Sequence, residues 1–352
     1  MPPLSRIYPL FRLLPLLVGA ALLGCQVGTP GPEAEQQVGN DFLFCFWNAE
    51  NFFDDRLDGW RNRPDEEYDV WFADNPAILK EKLDNLSKAL AEMNGGKGPD
   101  ILALAEVESA RAAELLKEAL NARIGKKAPP YKNVLFKNAG GGRHISTAII
   151  TRLAVDNSKT RLHGRRLRIL EGHVEANGHD LVILATHWTS RVSDVEGEAR
   201  DKYGDQSYGV FRAMYKNNPQ VDFLVCGDFN DPPDDESVTK HLRAIGDLDR
   251  VKEGGSEPHL YHLFANWVKE GKKPEGSHFY RGKWMLFDQI AVSPGLLDNE
   301  GWTCEVETAR IVGDLTADNR GRPKRFGGEK DKFSRGWSDH FPVTVRLKVA
   351  DK

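Results

Sequence analysis

The chain has 352 residues, of which 40% are hydrophobic and 28% charged, and its formal net charge is −4 at pH 7. This composition excludes disorder as the default state and supplies enough apolar residues for a large core in one or two domains. The slightly negative charge also excludes a strongly basic nucleic-acid-binding coat, so any phosphate-bearing partner must be bound by a local patch.

Residues 1–24 are typical of a secretory signal peptide. Arg6 and Arg12 precede an apolar stretch, residues 13–23, which is too short to span a bilayer comfortably and contains Pro15. The sequence Leu22-Leu23-Gly24-Cys25 resembles the bacterial lipoprotein box, in which cleavage leaves the cysteine as a lipid-modified N-terminus. The sequence therefore predicts lipidation at Cys25, with a plain secretory signal and an incidental cysteine as the alternative.

Residues 25–39 are predicted to form a flexible tether, because they combine Pro30, Gly31 and Pro32 with several Glu and Gln residues. We expect the mature chain to be lipid-anchored to a membrane of the bacterial cell envelope, on its periplasmic or extracellular face. Loss of residues 1–24 removes two arginines and no acidic residue, so the formal charge becomes −4 minus 2, or −6. The folded domain is predicted to occupy residues 40–350.

Two strand-like segments in the first third of the chain end in polar side chains. The apolar run 42–47 leads into Asn48 and Glu50, and the run 101–105 stops at Glu106. Residues 51–74 lie between them, lack periodicity and are expected to form a loop. A helix is expected to begin at Pro76 with Asn75 as its N-cap, because leucines then recur on one face.

Strands dominate the predicted structure from residue 146 onward. The run 181–186 leads into His187, and the run 224–226 ends in Gly227-Asp228-Phe229-Asn230. Side chains two positions apart on a strand point to the same side, so Asp228 and Asn230 are expected to lie together. Such a strand order favours two sheets packed face to face with helices outside, since each sheet must cover both of its faces.

The last predicted strands carry polar residues as well. A strand over residues 284–292 includes Asp288, and Ser338-Asp339-His340 comes just before a closing strand at 343–349. Carboxylates, amides and imidazoles therefore lie at the ends of at least four strand-like segments. Strands that deliver such groups to one edge of a sheet build a catalytic constellation on rigid elements.

Six short motifs resemble the endonuclease/exonuclease/phosphatase family in their order and approximate spacing. They are Trp47-Asn48-Ala49-Glu50-Asn51, Ala105-Glu106, Thr186-His187-Trp188, Gly227-Asp228-Phe229-Asn230, Phe287-Asp288-Gln289-Ile290 and Ser338-Asp339-His340. The resemblance covers about residues 40–349. It implies a four-layer α/β/β/α sandwich, with two mixed sheets face to face and helices outside, and metal-dependent hydrolysis of phosphate esters.

The resemblance also implies a role for each motif residue. Glu106 is expected to be the principal metal ligand, with Asp339 and Glu50 assisting. Hard oxygen ligands suit Mg²⁺ or Mn²⁺ rather than zinc, because no Cys and His cluster of zinc spacing accompanies them. The remaining roles are hydrogen bonding to phosphate oxygens or the metal shell by Asn48 and Asn230, orientation of the attacking water by Asp228, and donation to the phosphate by His187 and by His340, which is paired with Asp288.

The substrate is less well defined than the chemistry. A cell-envelope nuclease is the first interpretation, a sphingomyelinase-like lipid phosphodiesterase the second and a phosphomonoesterase the third, while a catalytically inactive binding protein is the alternative of a different class. We expect a monomer without a protein partner. Residues 320–336 contain seven Lys or Arg against Glu329 and Asp331, an excess of 7 minus 2, or five. This loop is predicted to contact a polyanionic substrate, unless it is simply solvated.

Three site assignments have alternatives on the sequence alone. Glu50 could be a surface acid, and His187 could be a histidine packed in the core. Residues 276–280 could contact substrate or form a hairpin.

Overall fold

The first strand, β1 (Asp41–Phe52), shows how the sequence pattern builds the fold. In this computed structural model, which describes residues 39–62, 65–140, 142–164 and 166–351, alternate β1 side chains enter different cores. Phe42, Phe44 and Phe46 pack between two sheets, whereas the intervening side chains pack against helices. A strand buried on both faces must be apolar at every position, which is why no polar alternation is visible in its sequence. The predicted signal peptide, Cys25 and residues 25–38 of the predicted tether lie outside the described residues.

The described strands are numbered in chain order. The first ten are β1, β2 (Ile101–Val107), β3 (Asn133–Phe136), β4 (Ser146–Thr151), β5 (Ala154–Val155), β6 (Arg161–Leu162), β7 (Arg168–Ala176), β8 (His179–His187), β9 (Phe223–Asp228) and β10 (Ala244–Ile245). The others are β11 (Leu260–His262), β12 (His278–Tyr280), β13 (Lys283–Met285), β14 (Asp288–Val292), β15 (Trp302–Ile311) and β16 (Val343–Val349).

Two large mixed sheets contain most of these strands. The first sheet has the order β15-β16-β1-β2-β4-β3, and the second has the order β10-β11-β14-β9-β8-β7-β5, with β6 added beside β7. Strands β12 and β13 form a separate hairpin. The inner faces of both large sheets contribute to one apolar core, so the sheets pack face to face.

Helices cover the outer faces of both sheets. The described α-helices are α1 (Asp65–Asp74), α2 (Pro76–Gly96), α3 (Ala110–Ile124), α4 (Glu198–Asn217) and α5 (Leu248–Lys252). Helices α1 to α3 share an apolar cluster with the outer face of the first sheet, and α4 packs on the second. The layer order is α/β/β/α, as predicted. None of the helices among the described residues is both long enough and apolar enough to cross a bilayer.

Local predictions are partly corrected. The segment 51–74, expected to be a loop, contains α1, because Trp71 and Phe72 pack into the core although the segment lacks a helical apolar stripe. The expected strand 284–292 is divided into β13 and β14. Asn75 precedes α2 but donates its side-chain amide to the Trp71 carbonyl instead of capping the helix.

Candidate active site

One row of polar residues runs across the second sheet, at the ends of four neighbouring strands. In the strand register, Arg168 of β7 lies opposite His187 of β8, His187 lies opposite Asp228 of β9, and Asp228 lies opposite Asp288 of β14. Side chains that are directly paired across neighbouring strands point to the same face of a sheet. A Cβ at Gly227 would collide with Thr186 on β8, so glycine is required where these two strands meet.

The first sheet brings its polar residues to the same place. Asn48 of β1 donates a hydrogen bond from Nδ2 to Asp228 Oδ2 at 3.1 Å and a longer one to Glu106 Oε1 at 3.4 Å. Glu106 Oε2 accepts a hydrogen bond from the backbone amide of Asn51 at 2.8 Å. Asn48 therefore connects carboxylates that belong to different sheets, and the predicted convergence of Asn48, Glu106 and Asp228 is present.

The strand ends at this edge have unusual backbone conformations. Glu50, Asn51, Glu106 and Asn230 all have positive φ angles, between 47° and 59°. The pairing of β1 with β2 also shifts register between Asn48 and Phe52, as expected of a β-bulge. Non-glycine residues in the left-handed region store local strain and cluster at functional sites. At Glu106 and Asn230 the bent backbone leaves the regular ladder, so their directions do not follow from strand alternation.

The predicted pairing of Asp288 with His340 is confirmed. His340 Nδ1 donates a hydrogen bond to Asp288 Oδ2 at 2.6 Å, and Nε2 lies 3.8 Å from Asp228 Oδ2 and 4.0 Å from Asp339 Oδ1. Burial would lower the pKa of His340, but the carboxylates of Asp288 and Asp228 outweigh it and raise the pKa well above its ordinary value. His340 is therefore an imidazolium whose second N–H faces the space between the carboxylates.

His187 has a different charge state. Burial and the nearby charge of Arg168 lower its pKa to about 4, so its ring is neutral at pH 7. Its Nε2 lies 3.8 Å from Glu106 Oε1 and 3.9 Å from Asp228 Oδ2, and its buried Nδ1 has no hydrogen-bond partner among the described residues. The ring faces the site, which is the placement expected of a site residue rather than of a histidine packed in the core.

Glu106 remains ionised in this environment. Desolvation would raise its pKa, but the charges of His187 and Arg143 and the Asn51 amide outweigh that cost and lower the pKa to about 2. Since His187 is neutral at pH 7, Arg143, the Asn51 amide and the His340 imidazolium are the groups that stabilise the carboxylate at that pH. Asp228 differs, because burial and the Asp288 carboxylate raise its pKa.

Asn230 and Asp339 complete the predicted set. The Asn230 side chain donates from Nδ2 to the Trp188 carbonyl at 3.1 Å, and its backbone amide donates to Asp228 Oδ1 at 2.9 Å. Both groups fix the turn that follows β9. Asp339 is 33% exposed at its side chain, beside His340.

The Glu50 carboxylate is bound by a loop from the last part of the chain. It is buried, and its carboxylate accepts hydrogen bonds from Arg325 Nε at 3.1 Å, from the Phe326 amide at 2.6 Å and from the Gly327 amide at 3.1 Å. These contacts occupy most of its acceptor capacity. The structure gives Glu50 the role of anchoring the 325–327 loop, neither an exposed surface acid nor a ligand facing the site.

The sequence patterns missed several residues that contact this site. Arg143 donates to Asn51 Oδ1 at 2.6 Å and pairs with the buried Asp65 at 2.8 Å. Lys82, fully buried on α2, donates to the carbonyls of Glu50 at 3.1 Å and Trp337 at 2.9 Å, which joins the two segments that carry Asn48 and His340. The glycine run at 140–142 could have marked Arg143 as part of a special loop, whereas nothing in the helical pattern of α2 marked Lys82.

His278 is a further neighbour of the site. It lies on β12, so the hairpin expected over residues 276–280 is present, and its ring stacks on that of His340 with centroids 4.3 Å apart and an interplanar angle of 27°. Ring nitrogens of both histidines lie within 4.8 Å of each other and of an Asp339 carboxylate oxygen. Nearly parallel rings cannot direct their in-plane lone pairs at one ion, so this group is not a two-histidine metal site.

The donor chemistry at the edge fits a hard divalent cation. The carboxylates of Glu106, Asp228, Asp288 and Asp339 converge here around Asn48 and His340. The buried Asp288 Oδ1 has no hydrogen-bond partner among the described residues. Carboxylate oxygens are the hard ligands that Mg²⁺ and Mn²⁺ prefer.

Comparison with known proteins identifies the architecture behind this site. A sequence model of the Endonuclease/Exonuclease/phosphatase family matches residues 43–349. The chain belongs to this family. This match confirms, at the level of the family, the resemblance seen in the six motifs. Members of the family hydrolyse phosphate esters. No curated protein matches the sequence.

Solved structures share the fold at low sequence identity. D. rerio TDP2 complexed with single-strand DNA product has a TM-score of 0.51 and 17% identity, covering 88% of this chain and 99% of its own. A family protein from Bacteroides thetaiotaomicron has a TM-score of 0.52 and 15% identity, covering 88% and 98%. A mannosyl-6-phosphatase from the same bacterium has a TM-score of 0.50 and 15% identity, covering 87% and 99%. The structural similarity establishes the common sandwich fold, and identities this low leave the substrate open.

Proposed function

We propose that this chain is a divalent-metal-dependent phosphodiesterase that acts as a nuclease at the bacterial cell envelope. The observation that carries the catalytic part is the Asp288–His340 pair, which aims an imidazolium at the space bounded by Asp228 and Glu106. A charged donor held at a fixed angle in a site of low polarity stabilises negative charge that develops on a phosphate.

Each polar residue has a role in this proposal. Asp228, held between the Asn48 side chain and the Asn230 amide, orients the attacking water. His340 donates from Nε2 to a phosphate oxygen, and neutral His187 can donate one N–H. The amides of Asn48 and Asn230 contact phosphate oxygens or the metal shell.

Glu106 and Asp339 would hold Mg²⁺ or Mn²⁺. Asp339 faces the His340 Nε2 that also faces Asp228, and Asp228 shares the Asn48 amide with Glu106. The bound ion would supply Lewis-acid stabilisation of charge on the phosphate. Glu50 is committed to its loop and is not needed in the ligand set.

The nuclease assignment depends on the cations near the site. Residues 320–336 carry an excess of five positive charges on an acidic chain. The loop passes close to the site, because Arg325 binds Glu50, two positions after Asn48 on β1, at 3.1 Å. A local basic patch beside a phosphodiesterase site favours a polyanionic substrate over an isolated phosphoester.

A phosphomonoesterase is the second candidate, because a neighbour of the same fold is a mannosyl-6-phosphatase. A panel of single-stranded DNA, RNA, sphingomyelin, a sugar monophosphate and bis-p-nitrophenyl phosphate, each with Mg²⁺ and with chelator, separates these functions. We expect Mg²⁺-dependent cleavage of nucleic acid. Turnover of the monoester alone, or of sphingomyelin alone, would contradict the nuclease assignment, and equal turnover in chelator would contradict metal dependence.

The envelope assignment depends on the lipoprotein-like sequence ending at Cys25. Expression of the full chain in a bacterium with a labelled fatty acid should label the protein and place it in the membrane fraction, and Cys25→Ser should abolish both. Labelling that survives Cys25→Ser would overturn this assignment. The monomeric state and the absence of a protein partner stay predictions.

A further inference from the structure

The β12–β13 hairpin is attached directly to the catalytic pair. The Ser277 carbonyl accepts a hydrogen bond from the Phe341 amide at 2.7 Å, and Ser277 Oγ accepts one from the Asp288 amide at 3.0 Å. His278 donates from Nδ1 to the Asp339 carbonyl at 2.8 Å and stacks on His340. The base of the hairpin therefore contacts the backbone beside both members of the pair and the ring of one of them.

One face of the hairpin continues outward from the site. Side chains alternate along a strand, so Tyr280 lies on the same face as His278, and their rings are 6.2 Å apart at an angle of 21°. Lys283 is the cross-strand partner of Tyr280, and the Arg281 guanidinium lies 5.1 Å from the Tyr280 ring centroid. This surface, which we call the front face, presents two nearly parallel rings and two cations. Tyr280 is 49% exposed there.

The opposite face of the hairpin is packed, so the front face is held in place. Phe279 contacts Trp284 edge to face at 5.2 Å, and Trp284 stacks on Phe341 at 6.0 Å. Arg322, from the basic loop, lies 4.2 Å from the Phe279 ring centroid. The turn itself has positive φ at Arg281 and Gly282, as a tight type I′ hairpin turn requires. An exposed tyrosine on such a support loses little freedom when it binds a ligand.

We propose that the front face of the β12–β13 hairpin binds an unpaired nucleotide next to the scissile phosphate, so that the substrate is a single-stranded polynucleotide. An exposed ring beside cations recognises a base by stacking and the backbone by charge, for any base sequence. A base in a duplex is already stacked on its neighbours, so only an unpaired nucleotide can reach Tyr280. This inference rests on the proposed nuclease function and narrows its substrate.

The binding test uses metal-free protein and a short fluorescein-labelled oligo(dT), with a duplex of the same length in parallel, measured by fluorescence anisotropy. Oligo(dT) should bind more tightly than the duplex. Tyr280→Ala should weaken oligo(dT) binding by about 5- to 150-fold, the range for loss of one stacked base. Tyr280→Phe keeps the ring and should bind like the wild type. Arg281→Ala should lower the slope of log affinity against log salt by about one.

Arg212 provides the matched control for the arginine. It lies on α4, in the outer layer, with a side chain that is 55% exposed and a 3.8 Å contact to Glu257. Arg212→Ala should leave affinity and salt slope at their wild-type values. A slope that falls equally in both arginine variants would show a general charge effect and overturn the subsite.

Hydrolysis of bis-p-nitrophenyl phosphate by the wild type separates this inference from the proposed function. If the wild type hydrolyses neither this ester nor oligo(dT) with Mg²⁺, the proposed function fails, and the inference that rests on it fails as well. If it hydrolyses either one, and Tyr280→Ala binds oligo(dT) like the wild type, the hairpin inference alone is overturned. Tyr280-dependent binding to phosphatidylglycerol vesicles without binding to oligo(dT) would likewise overturn it in favour of a lipid surface.

Discussion

Two carboxylates in this molecule each lie beside histidines, and they differ in how far their charge is paired. Glu171, on β7, is fully buried and contacts His163 Nε2 at 2.5 Å, His173 Nε2 at 3.2 Å and Arg161 at 2.7 Å. Glu106 has its nearest imidazole nitrogen at 3.8 Å, and its hydrogen bonds come from a backbone amide and, at greater length, from the Asn48 amide.

The difference distinguishes a structural cluster from a reactive one. At Glu171 the donors are in direct contact, which stabilises the ionised carboxylate and leaves little to offer a ligand. At Glu106 the neighbouring groups are spaced by nearly 4 Å and face a common gap, and His187 Nε2 lies beyond hydrogen-bonding distance of both Glu106 and Asp228. Buried polar groups left without partners are costly, so this arrangement indicates that a ligand supplies the missing contacts.

Neutralising each carboxylate in turn is the most direct test of whether Glu106 and Glu171 have different roles. Glu106→Gln should abolish Mg²⁺-supported turnover and should lower the stability of the metal-free protein less than Glu171→Gln does, because its side-chain amide oxygen can still accept the Asn51 hydrogen bond. Glu171→Gln should retain turnover but lower the free energy of unfolding by about 3 kcal/mol, because Arg161 and two histidines lose their charged acceptor. Activity assays and denaturant titrations of both variants check this, and a stability loss in Glu106→Gln as large as in Glu171→Gln would contradict it.

Variants of the Asp288–His340 pair test whether the residues of the candidate active site work as a unit. His340→Ala should lose about 10² to 10⁴ in rate, the usual range for acid–base or electrostatic help. Asp288→Asn should lose a large part of that, since the ring is no longer held charged and oriented. The double variant should be little worse than His340→Ala. Rate measurements that show fully multiplicative losses would mean that the two residues act separately.

The cluster around Glu171 should make the stability of the protein depend on pH. Burial would lower the pKa of His173, but Asp180 and Glu171 raise it from 6.5 to about 9. A raised folded-state pKa stabilises the protein fully below about pH 6.5 and loses that contribution as pH rises through about 9. The loss is at most about 3 kcal/mol, and less where solvent screens the partly exposed Asp180. The melting temperature should fall over this interval, and His173→Gln should flatten the fall.

The sequence predicted the sandwich because apolar runs and the polar residues that end them can be read directly. It also located His187, Asp228 and Asp288 of the row in the second sheet, and Asn48 on the first sheet, all of which lie on regular strands. Glu50 could not be placed, because its direction depends on a bend with positive φ and on a loop nearly 280 positions away in sequence. Helix α1 was missed because its acidic residues serve as buried acceptors: Asp69 accepts from the amides of Asp58 and Gly59.

Residues that reach the site from outside the two large sheets were the hardest to predict. Arg143 and His278 approach the site only through tertiary contacts, namely the ion pair with Asp65 and the stack on His340. No spacing in the sequence specifies those contacts.

Calorimetric titration of Mn²⁺ into metal-free protein tests the central claim most directly, because it measures metal binding without turnover. The wild type and Glu171→Gln should bind Mn²⁺ with the same affinity, and Glu106→Gln should lose that binding. Equal binding by the wild type and Glu106→Gln would contradict the assignment of the site around Glu106 as the metal-binding catalytic centre. Loss of binding in Glu171→Gln while it remains folded would contradict it as well.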